Sequence, residues 1–357
     1  MKLRDFVLRR VILAIPVVFG VLTVTWVLVY FVGDPLALYI TERTPESAIP
    51  GIIKSHGLDQ PPIVQYFLYM RSLILGDWGL SRSVGGDPPV LEVIQQRFPA
   101  TAELAMAAMV FAVILGIPLG ILSATKKDRP VDHVTRVFAL AGVSMPIFWF
   151  GLILKYVFYY QFKVMKISLL GIPLYLPGDS RVDNELWKAL MGNTQGYVPI
   201  TNLVLLDSIL YLQPWGFIDG VRHLIMPGFC LGYMTMAIVT RMMRSSMLEV
   251  LKEDYITLAR SKGLRERVVI YRHALRNAMI PTTTVIGLAF GGLLSGAVLT
   301  ETIFNWNGLG RWATRAILMS DVAAIIGFTL MVALIYVTAN LIVDLTYAVL
   351  DPRIRYG

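Results

Sequence analysis

Six stretches of this chain, near Val11–Val32, Leu104–Ala124, Val137–Tyr160, Leu224–Val239, Met279–Leu299 and Val322–Val343, are almost free of charge. Most reach the roughly 20 residues that an α-helix needs to cross about 30 Å of hydrocarbon. In a bilayer the backbone N–H and C=O groups find no water, so such runs satisfy them internally as helices. The pattern predicts an all-α membrane protein with six transmembrane helices. Composition agrees: 56% of the 357 residues are hydrophobic and 16% charged, whereas soluble domains carry about 25% charged residues. The fourth run is short, and Arg222 and Arg241 at its ends are expected to snorkel outward and lengthen it.

The basic residues orient these helices. Lys2, Arg4, Arg9 and Arg10 crowd the start, and Lys126, Lys127, Arg129 and Arg136 fill the connection after the second run. Nine Lys or Arg lie between Arg241 and Arg276, and Arg353 and Arg355 follow the last run. These regions alternate with the six runs, so the positive-inside rule places both termini in the cytoplasm. The formal charge of +8 is therefore read as a topology signal and not as nucleic-acid binding. The first run exceeds the 7–15 residues of a secretory signal core and has no small-x-small cleavage site, so it reads as a retained anchor. Cys230 is the only cysteine, which excludes an intrachain disulfide and a cysteine metal cluster.

Residues 1–100 read as the first helix plus a folded external segment, with turns at Gly33-Asp34-Pro35, Gly57-Leu58-Asp59 and Gly76-Asp77-Trp78-Gly79. Residues 101–357 read as a five-helix core carrying a Pro- and aromatic-rich external insertion at about 161–220. Between the fourth and fifth runs stands a highly charged stretch, within about 244–278, far longer than a bare connector needs. It reads as one or two short surface helices, the first ending at Gly263 where a left-handed turn is easiest. A membrane protein builds such a platform for another protein to dock on.

Chemistry is sparse. No Gly-x-x-x-x-Gly-Lys-Ser/Thr loop is present to cradle ATP phosphates, and His56, His133, His223 and His273 are scattered without metal-ligand spacing. Gly292-Leu293-Leu294-Ser295-Gly296 offers a serine inside a span, but no histidine lies at matching depth to act as base, and small residues there suit close helix packing. Polar groups in spans are functional candidates by default. Lys155 is expected to snorkel from the outer end of the third helix, and Glu103 to open the second helix, where its charge suits the dipole. Asn340 and Asp344 share a face of the sixth helix. Pro146, after Ser144 and Met145, should kink the third helix and free backbone carbonyls. Ser144, Pro146, Asn340 and Asp344 are the candidate gate or pore residues.

Taken in order, these segments resemble a known family along essentially the whole chain. Leu8-Arg9-Arg10, Gly33-Asp34-Pro35, Gly57-Leu58-Asp59-Gln60-Pro61 and Gly76-Asp77-Trp78-Gly79-Leu80-Ser81 are followed by Pro99-Ala100-Thr101-Ala102-Glu103-Leu104 and Ser144-Met145-Pro146-Ile147-Phe148-Trp149. Later come His223-Leu224-Ile225-Met226-Pro227, Arg241 through Met247, Asp254 through Leu264, Glu301 through Gly310, and Leu350-Asp351-Pro352-Arg353. The chain is similar to permease subunits of the dipeptide/oligopeptide class of ABC importers, the binding-protein-dependent inner-membrane components. Of the wider coupling pattern Glu-Ala-Ala-x-x-x-Gly only Ala259 and Gly263 stand here, and Asn307 takes the place of the usual proline.

The resemblance implies a type I importer permease fold in the cell (inner) membrane, with the first helix wrapping the partner. It implies half of a translocation pore, completed by a homologous second permease and surrounded by lipid. Two ABC ATPase subunits, which bind ATP and Mg²⁺, would dock on the loop formed by Glu253, Asp254, Tyr255, Ala259, Arg260, Lys262, Gly263 and Leu264. An external or periplasmic binding protein would deliver the solute. The chain itself would carry no cofactor and catalyse no reaction. The solute is expected to be a peptide, with oligosaccharide as the alternative that the long 161–220 segment suggests. A secondary transporter would need paired acidic or discontinuous mid-span sites, which the sequence does not offer.

Overall fold

The structure, a computed structural model, describes residues 3–31, 34–41, 43–166, 168–169, 172–173, 176–178, 200–295 and 297–350. Lys2, Gly33, Pro199, Gly296 and the tail from Asp351 lie outside the described residues, as do 179–199 of the external insertion and the side chain of Asp344.

Helix α1 (Leu3–Phe31) leads to an external segment holding α2 (Ile49–Ser55) and α3 (Pro62–Ile74). Then follow α4 (Val90–Thr125), α5 (Pro130–Ser144) and α6 (Ile147–Leu154), the last continued by a π-helical stretch over Lys155–Gln161. A two-residue hairpin, Ser168–Leu169 antiparallel to Ile172–Pro173, lies in the insertion. The remaining helices are α7 (Val204–Leu210), α8 (Pro214–Val250), α9 (Asp254–Ser261), α10 (Leu275–Ser295), α11 (Val298–Ile303), α12 (Leu309–Leu318) and α13 (Val322–Leu350). Among the described residues, four helical stretches are long and apolar enough to cross a membrane singly: α4, α8, Glu266–Leu294 and Val322–Ile342. The α5–α6 pair is apolar enough only when taken together and is bent by 108°, as a broken span or a re-entrant loop; the described apolar part of α1 is the shorter stretch Val11–Val27.

α4 and α8 form the most extensive helix pair. Their axes approach closely because small residues face one another, as membrane helix pairs require. A β-carbon on Gly232 would collide with the Ala108 carbonyl, and one on Gly120 would reach Met243 Cβ at 2.6 Å.

Several boundaries depart from the sequence reading. α4 begins at Val90, so Pro99 and Glu103 lie inside the helix and do not open it. Burial of Val90, Val93 and Ile94 beneath the external segment carries the helix past the proline. The fourth run is embedded in a helix of 37 residues, so it needs no snorkelling to gain length. The third run is broken at Met145–Pro146, where Met145 is extended (φ −84°, ψ 125°) and Pro146 starts α6. Lys155 lies alongside the outer loop, and its Nζ donates to the Ile303 carbonyl (3.3 Å). In the glycine-rich part of α10, close packing falls at Gly291, whose β-carbon would stand 2.8 Å from that of Ala339, whereas Gly292 faces open space. α1 runs along α13 of its own chain.

Candidate functional site

The charged stretch folds into a short helix lying across the ends of three spans. α9 seats Ile256 (0% exposed) and Ala259 (5%) in an apolar cluster with Ile121 and Ala124 of α4 and Met243 and Met247 of α8. Val269, Ala274 and Ala278, from the helical stretch that becomes α10, complete the cluster. Residues 256 and 259 are one helical step of three apart, so they share a face. The opposite side is free: Leu258, Leu264 and Tyr271 are exposed, as are Glu253, Asp254, Lys262 and Gly263.

The helix ends as expected. Gly263 has φ +76°, its N–H donates to the Arg260 carbonyl (2.9 Å), and the Leu264 N–H reaches back to the Ala259 carbonyl (3.4 Å). That pair of bonds is a Schellman closure, which needs a left-handed residue at the turn. At the other end, Asp254 occupies the first turn, where a negative charge meets the positive helix terminus. Two side-chain contacts fix the platform laterally. Arg260 grips Glu266 through two bonds (2.8 and 3.2 Å), and Asn277 Nδ2 donates to the Tyr255 hydroxyl (2.6 Å). The Arg260–Glu266 pair is half exposed, so it orients the turn and contributes little stability.

Beneath α9 sits a polar lock that the sequence did not reveal. Asp132, with no exposed surface, receives both Nε and a terminal nitrogen of Arg244 at 2.9 Å. Ser123 Oγ (2.5 Å) and the Asp128 N–H (3.0 Å) also donate to its carboxylate. Four acceptor positions on one buried carboxylate are thus used, and they join the ends of α4, α5 and α8. Asp128 makes this possible by adopting φ +62°, a conformation that Asp tolerates better than most residues. Arg244 and Asp132, 112 positions apart, lie in two separately noted stretches, and nothing local in the sequence links them.

The far end of the bundle is held by a second polar cluster. Glu301 is fully buried and accepts from Thr101 Oγ1 (2.7 Å) and the Arg311 N–H (2.9 Å). Trp306 Nε1 donates to the Ala100 carbonyl (2.8 Å). Burial pushes the Glu301 carboxyl above its ordinary range, against the opposing hydrogen bonds and the charge of Arg97. A β-carbon on Gly308 would strike the Glu301 carboxylate and the Thr101 hydroxyl, which explains that glycine in the outer loop. Glu103, buried, accepts from the Leu205 N–H (2.9 Å) at the start of α7. Ser144 and Pro146 are exposed at the α5–α6 break, and Asn340 is half-buried on α13; the structure does not bring these three together with α9.

The described residues thus build a bundle of helices apolar enough to cross a membrane, with a short two-faced helix laid across one end and a buried polar cluster at the other. The chain belongs to the family described as binding-protein-dependent transport system inner membrane component, whose model matches residues 116–356, while the corresponding N-terminal model matches 3–105. It is therefore an inner-membrane permease component of the type I importer fold. It is 42% identical over 356 residues to the dipeptide transport system permease protein DppB of Escherichia coli (strain K12), covering 99% of each chain. It is 40% identical over 354 residues to the di/tripeptide transport system permease protein DppB of Pseudomonas aeruginosa, again over 99% of each. With the oligopeptide transport system permease protein AppB of Bacillus subtilis the identity is 32% over 352 residues, 98% of this chain and 99% of the relative. These relatives are named for peptide transport, so the oligosaccharide alternative gains no support from them.

Proposed function

We propose that this chain forms half of the translocation pathway of an ATP-driven importer of dipeptides or short oligopeptides. Its relatives named for dipeptide, di/tripeptide and oligopeptide transport support that solute class. A homologous second permease completes the pore, and an external binding protein delivers the peptide at the end clamped by Glu301 and Trp306. Two ATPase subunits bind ATP and Mg²⁺ and engage α9 and its counterpart. Both termini lie in the cytoplasm.

The observation that carries this reading is the two-sidedness of α9. Ile256 and Ala259 anchor it to three spans, so force applied to its free side is passed to α4, α8 and α10 together. Ala259 therefore supports the helix from within, while Leu258, Lys262, Gly263 and Leu264 present the surface that an ATPase cleft would take. In proteoliposomes holding both permeases, the ATPases and the binding protein, labelled dipeptide should accumulate only with ATP inside the cytoplasm-equivalent compartment. An assembled complex that hydrolyses ATP but fails to take up any peptide would sink the assignment.

A further inference from the structure

Helix α3 is two-faced in a way that the external segment does not explain. Tyr69, Met70 and Leu73 are buried, whereas Ile63 (63% exposed), Phe67 (62%), Ile74 (77%) and, at the helix end, Leu75 (71%) are exposed. A solvent-exposed helix seldom presents four large apolar side chains.

Its depth supplies the reason. α3 leans on α1: Tyr66 meets the Thr23 hydroxyl (2.8 Å) and packs edge-on against Trp26, and Tyr69 donates to Thr25 (3.3 Å). Further along, Leu73, Ile74 and Trp78 close one end of an apolar cleft of about 240 Å³ whose walls are Val18, Val21 and Leu22 of α1 and Leu330, Ala333 and Leu334 of α13. About 13 Å of helix separates Arg9 from Val18, and about 12 Å separates Val322 from Leu330. Val18–Leu22 and Leu330–Leu334 thus fall inside the apolar runs Val11–Val32 and Val322–Val343, so the cleft and the last turn of α3 beside it lie at the level of the hydrocarbon that those runs would cross. Trp26 and Tyr30, stacked at 5.0 Å near the end of α1, mark the interfacial level. That end is remote from α9, because Leu73 packs in the cluster of Val90, Val93 and Ile94 at the start of α4.

We propose that α3 is an interfacial wedge: its apolar face rests on lipid of the leaflet remote from α9, and its last turn enters the hydrocarbon. Arg71 shares the exposed face of α3 one turn before Ile74 and Leu75. Helical side chains lean toward the N-terminus, so Arg71 points back toward the shallower end, where its guanidinium can meet lipid phosphate while its stem stays in the apolar layer. The external segment is thereby fixed to the membrane surface as well as to the bundle. This rests on the membrane reading of α1 and α13 and is independent of the solute.

The test is nitroxide accessibility in the complete complex in proteoliposomes. Single cysteines at Ile74, Leu75 and, as a water-exposed reference, Asp59 carry the label, with buried Cys230 left in place and the parent chain confirming that it does not react. At 74 and 75, oxygen, which concentrates in hydrocarbon, should collide with the label several-fold more often than a water-soluble nickel chelate; at 59 the order should reverse. Preferential collision with the nickel chelate at 74 and 75 would overturn the proposal by placing the turn in water. Protection from both reagents would overturn it by showing a protein subunit on that face.

Discussion

At Gly263 the backbone alone makes the demand, since a β-carbon there meets nothing within 4 Å and the φ of +76° is what excludes other residues. Holding a non-glycine residue in that region costs roughly 1–2 kcal/mol, and a β-branched residue fares worst. Gly263→Val should leave membrane insertion intact yet lower peptide uptake per assembled complex strongly, because Leu264 would no longer be presented in register. Gly263→Asn, which tolerates the left-handed turn, should keep most of the transport. Wild-type uptake by the valine variant would remove Gly263 from the coupling machinery. Asp132 poses the opposite case, a residue whose side chain is everything. Asp132→Ala strips Arg244 of its carboxylate and orphans the donors of Ser123 and Asp128. Breaking a buried pair by removing one partner costs about 3 kcal/mol. A clear drop in the unfolding temperature of the purified permease is expected, and an unchanged temperature would show that the lock carries no weight.

At the scale of elements, α9 separates support from contact. Ile256 and Ala259 hold it down, so truncating the free side leaves the fold alone: Leu258→Ala with Leu264→Ala should move stability by no more than about 0.5 kcal/mol each, as exposed substitutions do. Retention of the ATPase subunits through purification should nonetheless fall, and undiminished co-purification would place the contact elsewhere. The same helix shows what a linear sequence can express. Gly263, the broken third span at Pro146 and the six apolar runs were all legible, since each follows from local backbone chemistry or from the length of hydrocarbon. The true start of α4 was not, because the packing of Val90, Val93 and Ile94 overrides the proline punctuation at Pro99. Nor was the direction of Ala259: it looked like a contact residue and instead faces the spans. Asp132 and Arg244 meet only through the packing of α5 against α8, and no local periodicity marks which distant charge will find which.

For the whole molecule, the central question is which end faces the cytoplasm, and the folded bundle sharpens the argument from charge. Ile121 and Ala124 of α4 share a cluster with Ile256 of α9, so the basic turn after α4 and the basic platform lie at one end. Tyr69 and Leu73 of the external segment lie with Val90 at the other. If the positive-inside rule governs, the first end is cytoplasmic. Lys127 and Asp59 are exposed reporters of the two ends; Lys127 is preferable to Asp128, whose left-handed backbone and bond to Asp132 a cysteine would disturb. Cys230 is only 1% exposed, so the parent chain should stay unlabelled. A membrane-impermeant maleimide added to intact cells should react with Asp59→Cys at once and with Lys127→Cys only after permeabilisation. Reaction at 127 but not 59 in intact cells would invert the molecule, and with it the placement of α9 on the side where ATP is found.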